Sequence, residues 1–157
     1  MRLEELKVKL EEKFPGKISD WDEKNPRRIY FGVPPEEIRE LSEYLYRDLK
    51  FRFIIASGIQ TLKGFQILYH FSFDAGGLIV SARVRLSKEE PEVDSIADLV
   101  PAADWIEREI FELLGIRFRG RPDLEHLLLN EEWPKDVYPL RKDFKEEDVP
   151  PANDNTG

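Results

Sequence analysis

The sequence contains no cysteine, and its only histidines are His70 and His126. The first absence excludes a structural disulfide, a thiol nucleophile and a self-contained cysteine-ligated iron–sulfur cluster, and it fits a reducing compartment. The second leaves little material for a zinc site, so no metal-ligating residues are assigned. No apolar run approaches the roughly 20 residues that span a membrane. The opening residues MRLEELKVKLEEKF mix acids with bases and do not resemble a signal peptide. A soluble chain is expected, with membrane association supplied only through partners. Neither GxGxxG nor GxxxxGK(S/T) occurs, and Gly76-Gly77 sit between two strand-like stretches, so no phosphate-cradling turn and no cofactor-binding residue is assigned. Ser57, Ser72 and Ser81 lack a nucleophile-elbow sequence around them. No catalytic residue is assigned.

A net charge of −8 argues against a general nucleic-acid or anionic-lipid binder, although Arg117, Arg119 and Arg121 form a local basic patch. Charged residues make up 36% of the chain beside a single methionine, which points toward a thermophilic source. A length of 157 residues fits one domain with a real core.

In chain order, Leu3, Leu6, Leu10 and Phe14 give a short amphipathic helix that Pro15-Gly16 stops. Residues 17–28 read as mixed and turn-rich, with Trp21 as anchor. A strand is expected at 28–33, and a second helix at 35–50 with Ile38, Leu41, Leu45 and Leu49 inward and Glu36-Glu37 at its positive end. Three strands follow at 51–57, 65–73 and 78–86. The second alternates Phe65, Ile67, Tyr69, Phe71 and Phe73 with polar or smaller neighbours, and Asp74-Ala75-Gly76-Gly77 is a hairpin turn. His70 falls on the polar phase as a solvent-facing or cross-strand residue, and His126 reads as a packed or interface side chain. The expected architecture is α+β: an antiparallel or mixed sheet with helices packed on one face, followed by an extended C-terminal segment. Residues 1–144 form the domain, and 145–157 an acidic, flexible tail.

The unusual residues gather in 101–144. Ile106, Ile110 and Leu113 define a helix, started either by an Asp104–Glu107 capping box or by Pro101 as first-turn proline, and ended by Gly115. Its apolar arc holds Trp105, Ile106, Ile110, Leu113 and Leu114, with Glu109 inside it and Glu107 at its edge. Arg108 can pair with Asp104 or Glu112 on the remaining face. Glu107 and Glu109, two apart on a helix, do not face each other as an acid–base pair. Either the stripe simply has a wet edge at Glu109, or Glu109 finds a cationic partner; the expected partner is Arg141 in the Arg141-Lys142-Asp143 segment, within the domain or across an interface. Residues 115–120 read as a short extended step with Ile116 and Phe118 on one side.

The stretch resembles the signature region of the 30-kDa (C-type) subunit of respiratory NADH dehydrogenase, complex I, and its relatives in membrane-bound energy-converting hydrogenases. The residues that carry the likeness are Trp105-Ile106-Glu107-Arg108-Glu109, then Gly115, Phe118, Gly120, Pro122 and Asp123, then Trp133, and finally Pro139-Leu140-Arg141-Lys142-Asp143-Phe144. The strong likeness covers residues 84–144. Arg121 stands where the family usually has histidine, Glu125-His126 replace paired arginines, and the spacer after Trp133 is longer than usual.

The resemblance implies a non-redox scaffolding subunit of a peripheral arm. It would brace a hydrogenase-like large subunit and an iron–sulfur small subunit, and reach the membrane arm through the complex on the cytoplasmic side of the membrane. Iron–sulfur clusters and a nickel–iron centre would belong to those partners. The departures at Arg121 favour an energy-converting nickel–iron hydrogenase or related ferredoxin-linked complex. The alternatives are the C-type subunit of NADH:quinone oxidoreductase, a stand-alone protein-interaction module, and an independent hydrolase using the Glu107/Glu109 region.

Overall fold

In the computed structural model, which describes residues 1–121, 134 and 136–145, the two most regular period-two stretches form the centre of a five-stranded sheet. They are β4 (Gly64–Phe73) and β5 (Leu78–Ser87), antiparallel and in unbroken register from Gly64↔Ser87 to Phe73↔Leu78. Alternation puts Phe65, Ile67, Tyr69 and Phe71 on one face with Val80, Ala82, Val84 and Leu86, and all eight are buried. β3 (Arg52–Gln60) pairs antiparallel with β4, with a register shift between Phe53 and Ile55. On the other side β2 (Arg28–Gly32) runs parallel to β5, and β1 (Ser19–Asn25) pairs antiparallel with β2, giving the order β1-β2-β5-β4-β3.

Helices cover the inward face. α1 (Leu3–Lys13) contributes Leu3, Leu6 and Leu10 to the core. The second helical stretch runs as a 3₁₀ turn (Pro35–Glu37), α2 (Ile38–Glu43) and a π turn (Tyr44–Asp48), with Ile38, Leu41 and Leu45 fully buried. α3 (Ala103–Leu114) lies over β3. Gly58 makes the close approach there, because a Cβ on it would stand 2.9 Å from Leu114 Cδ1 and 3.1 Å from Ile110 Cγ2. The opposite face leaves Ile55 and Ile59 exposed and carries the partly covered His70, whose Nδ1 lies 2.6 Å from Ser81 Oγ across the β4–β5 pair. A second, two-stranded parallel sheet joins β6 (Glu92–Asp94) to β7 (Arg117–Arg119).

Three features depart from the expectation. β1 occupies residues read as turn-rich: SDWDEKN has no apolar alternation because this edge strand is almost wholly exposed, and only Trp21 packs inward, 5.2 Å from the Phe31 ring. β6 arises in the charged connector, and of its three residues Val93 alone is buried. The second helix is interrupted by its π turn, which helical periodicity does not reveal. No helix among the described residues is long and apolar enough to cross a membrane.

Candidate functional site

The residues singled out in the sequence converge on α3 and the two segments that follow it. α3 starts at Ala103, entered through a turn in which Ala103 N donates to Val100 O (2.9 Å) and Asp104 N to Pro101 O (3.1 Å). Neither expected start is used. The Ala102 N-cap makes no side-chain cap bond, and Pro101 lies in the preceding turn. The Asp104 carboxylate instead receives Arg121 and lies 3.5 Å from Arg108 Nε. Glu107, freed from capping, turns inward.

The far end is closed as Gly115 requires. Its φ of +75° is left-handed, and its N–H donates to Phe111 O at 2.8 Å. A Cβ there would meet Tyr138 at 2.5 Å and Arg141 at 2.7 Å. Those neighbours belong to a strap, 138–142, laid across the helix end. Leu140 N donates to Leu113 O (3.0 Å) and Arg141 Nε to Leu114 O (2.6 Å), satisfying carbonyls that a helix terminus leaves open. The Arg141 guanidinium carbon stands 4.5 Å from the Tyr138 ring centroid and 5.1 Å from that of Phe65, so a cation held between aromatic rings occupies the negative end of the helix. Lys142 N donates to Gln60 Oε1 at 2.6 Å, which ties the strap to β3 as well.

Glu107 is the buried charge of the site, 2% exposed. Ser95 Oγ donates to it at 2.6 Å, Ile96 N at 2.7 Å and Arg121 Nη1 at 3.2 Å. Burial pushes its pKa up, while those donors oppose the rise. Because a buried carboxylate without donors would cost several kcal/mol, about 2–7 even for a neutral polar group, these bonds hold together three stretches distant in sequence: the 95–96 connector, α3 and the end of β7. Arg121 also donates to Asp104 O at 3.0 Å. Beside this network, Arg39–Asp98, Arg119–Asp94 and Arg121–Asp104 ring a surface cleft, each guanidinium facing its own carboxylate. Such pairs, up to 59 residues apart for Arg39 and Asp98, leave no local spacing for a sequence reading to find.

The remaining predicted residues divide clearly. Phe118 is buried in β7, and Gly120 follows at φ +91°. Arg108 is half-buried beside Asp104, and Glu112, expected on the open face with them, is only 1% exposed. Trp105, placed by periodicity in the apolar arc, is 55% exposed. Glu109 is half-buried, and no hydrogen bond or ion pair joins it to Arg141, whose guanidinium is directed to the helix end and the two rings. The in-domain form of the expected Glu109–Arg141 pair is therefore replaced by a helix-capping arginine. Pro139 and Phe144 are half-buried, while Lys142 and Asp143 are exposed. Pro122, Asp123, His126 and Trp133 lie outside the described residues. Among the described residues no group of three or more His, Cys, Asp or Glu side chains is placed to hold a metal ion.

Comparison with known proteins follows the same stretch. The family model of the respiratory-chain NADH dehydrogenase 30 Kd subunit matches residues 31–149. The C-type subunit of the NADH-quinone oxidoreductase of Chloroherpeton thalassium is 34% identical over 147 residues, covering 89% of this chain, and the chain spans 60% of that relative's length. The C-type subunit of the F(420)H(2) dehydrogenase of Methanosarcina mazei is 32% identical over 136 residues, 85% of each chain. Hydrogenase-4 component G of Escherichia coli is 31% identical over 148 residues, a match that takes in only 26% of its length. Among solved structures, the membrane-bound sulfane sulfur reductase, an archaeal respiratory membrane complex, contains a chain of the same fold, with a TM-score of 0.77, 23% identity, and coverage of 91% of this chain and 85% of that one.

Proposed function

Since this chain belongs to the family of the respiratory-chain NADH dehydrogenase 30 Kd subunit, we propose that it is an accessory subunit of a membrane-associated oxidoreductase of the complex I type, without catalytic chemistry of its own. The observation that carries this reading is the family match across residues 31–149, which takes in the whole α3–β7–strap unit. The geometry supports a bracing role. Glu107, Arg121 and Arg141 direct their charges inside the chain, holding α3 between the connector, β7 and the strap. What they hold in place is an outer surface.

The relatives favour the C-type subunit of an NADH-quinone oxidoreductase over the nickel–iron hydrogenase expected from the sequence. Such subunits match along most of their length, up to 72% in Ruegeria pomeroyi, whereas the hydrogenase component G is matched over 26%. Arg121, which in the sequence pointed away from the respiratory version, has a local use in satisfying Glu107 and Asp104 that needs no reference to the electron donor. The partners proposed are the catalytic large subunit and an iron–sulfur small subunit, whose clusters carry the electrons. The chain would sit peripherally, joined to the membrane through them on its cytoplasmic side.

The test is purification of the tagged full chain from its own host, with subunits identified by mass spectrometry and the assembly assayed with NADH, reduced F420, reduced ferredoxin and protons. Recovery of large and iron–sulfur subunits with NADH- or F420-dependent quinone reduction supports the reading. Hydrogen evolution as the main activity would return the chain to the hydrogenase branch, and recovery of the chain alone would leave only a stand-alone module.

A further inference from the structure

On the outer side of α3, beside the buried Glu112, one line of side chains is only partly covered. Ala103, Glu107, Ile110 and Leu114 face the domain. Trp105, Glu109 and Leu113 follow one another at intervals of four residues, along a line about 12 Å long on the other side. Trp105 at one end is 55% exposed. At the other, Leu140, delivered by its bond to Leu113 O, is 58% exposed. Glu109 lies between them, with no ion pair or hydrogen bond to any described residue. The strap that could have covered or neutralised this line instead turns Arg141 inward and extends it with another apolar group.

We propose that this line docks a segment of a partner subunit that presents a basic side chain, arginine by preference, between two apolar ones. This docking presupposes the proposed membership in a larger assembly and names the partner chemistry. Covering Trp105 and Leu140 necessarily strips water from the carboxylate between them, and a desolvated carboxylate is tolerated only against a cation. A guanidinium suits it best because its planar fork satisfies both oxygens while its faces remain compatible with the indole. A second copy of this chain docked through the same line about a two-fold axis would bring Glu109 toward Glu109, and each copy already carries a net charge of −8. An anionic lipid surface is disfavoured by the same charges.

The experiment places the photo-crosslinking residue benzoylphenylalanine at Leu113 or Leu140 of the tagged full chain, and at Ile55 or Ile59 on the open sheet face as controls, in the assembly isolated from the host. Cross-links from 113 and 140 are expected to converge on one partner peptide containing an arginine or lysine flanked by apolar residues. Trp105→Ala and Glu109→Lys should each lower partner recovery about tenfold or more, the scale of an interface hot spot, with the thermal transition of the isolated chain unchanged. Reversing the cross-linked cation to glutamate should restore recovery with Glu109→Lys. If Trp105→Ala unfolds the chain, Leu140→Asp on the strap gives the same reading from outside the helix. Cross-links from the control face alone, self-cross-links alone, or undiminished recovery in these variants would overturn the docking line while leaving the assembly intact. Failure of the wild-type chain to recover any oxidoreductase subunit would instead remove the functional reading, and the docking line with it.

Discussion

Replacing Gly115 by alanine tests how the strap is held. The new Cβ would sit in a left-handed backbone conformation, a cost of roughly 1–2 kcal/mol, and would point into Tyr138 at 2.5 Å and Arg141 at 2.7 Å. Neither neighbour can yield alone. Tyr138 and Arg141 are locked against each other at 4.5 Å, and Arg141 is bonded to Leu114 O at 2.6 Å. Expelling the strap forfeits the Leu140 backbone bond, worth about 1 kcal/mol, the guanidinium bond, about 1.5–3, and a cation–π contribution of about 0.5–1. Gly115→Ala should therefore cost about 4–7 kcal/mol in unfolding free energy measured by urea titration of the full chain. Arg141→Ala should cost about 2–4 kcal/mol by the same reckoning. Because the first change already releases the second contact, the double variant should cost little more than Gly115→Ala alone. Strictly additive losses would show that Arg141 keeps its place when Gly115 is changed, and would refute the account of the strap as a single capping unit.

Three further outcomes follow from the same contacts. Glu107, whose pKa is raised by burial, contributes stability at low pH that is lost as pH rises through its folded value; wild type should lose stability relative to Glu107→Gln across that window, which Arg121→Gln should extend upward, and a pH-independent difference would contradict the burial. His70, its pKa lowered by burial and then by Arg28, contributes stability that is lost as pH falls below its unfolded value of about 6.5; His70→Gln should flatten that part of the stability curve. Removing residues 145–157 should leave a cooperative thermal transition, because that stretch offers too little apolar surface to offset its ordering entropy; loss of the transition would mean that the segment belongs to the core.

Legibility in the sequence tracked how locally each feature is encoded. β4 and β5 announce themselves because inward residues alternate without interruption for ten positions each. Gly115 marks the end of α3 because only its own backbone angle is at issue. β1 and β6 carry no such signal: the one is an exposed edge, and the other pairs with β7 through residues 25 apart, as Asp94 does with Arg119. The roles of the two glutamates exchanged for a related reason. Helical periodicity ranks positions by the apolar residues around them, and it put Glu109 inward. The true inward direction is set by β3 below and by the donors Ser95, Ile96 and Arg121, which come from elsewhere in the chain and make Glu107 the buried carboxylate. The ordered signature, by contrast, is contiguous enough to be read directly, and of its deviations Arg121 bonds locally to Glu107 and Asp104.

The central claim is that this chain is needed to build a membrane-associated oxidoreductase and performs no redox step itself. Deletion of its gene from the host, followed by native gel electrophoresis of membranes and assay of donor-dependent quinone reduction, tests that claim most directly. Loss of the assembled complex and of its membrane-bound activity is expected, both restored by the wild-type chain. A fully assembled and active complex in the deletion strain would contradict it.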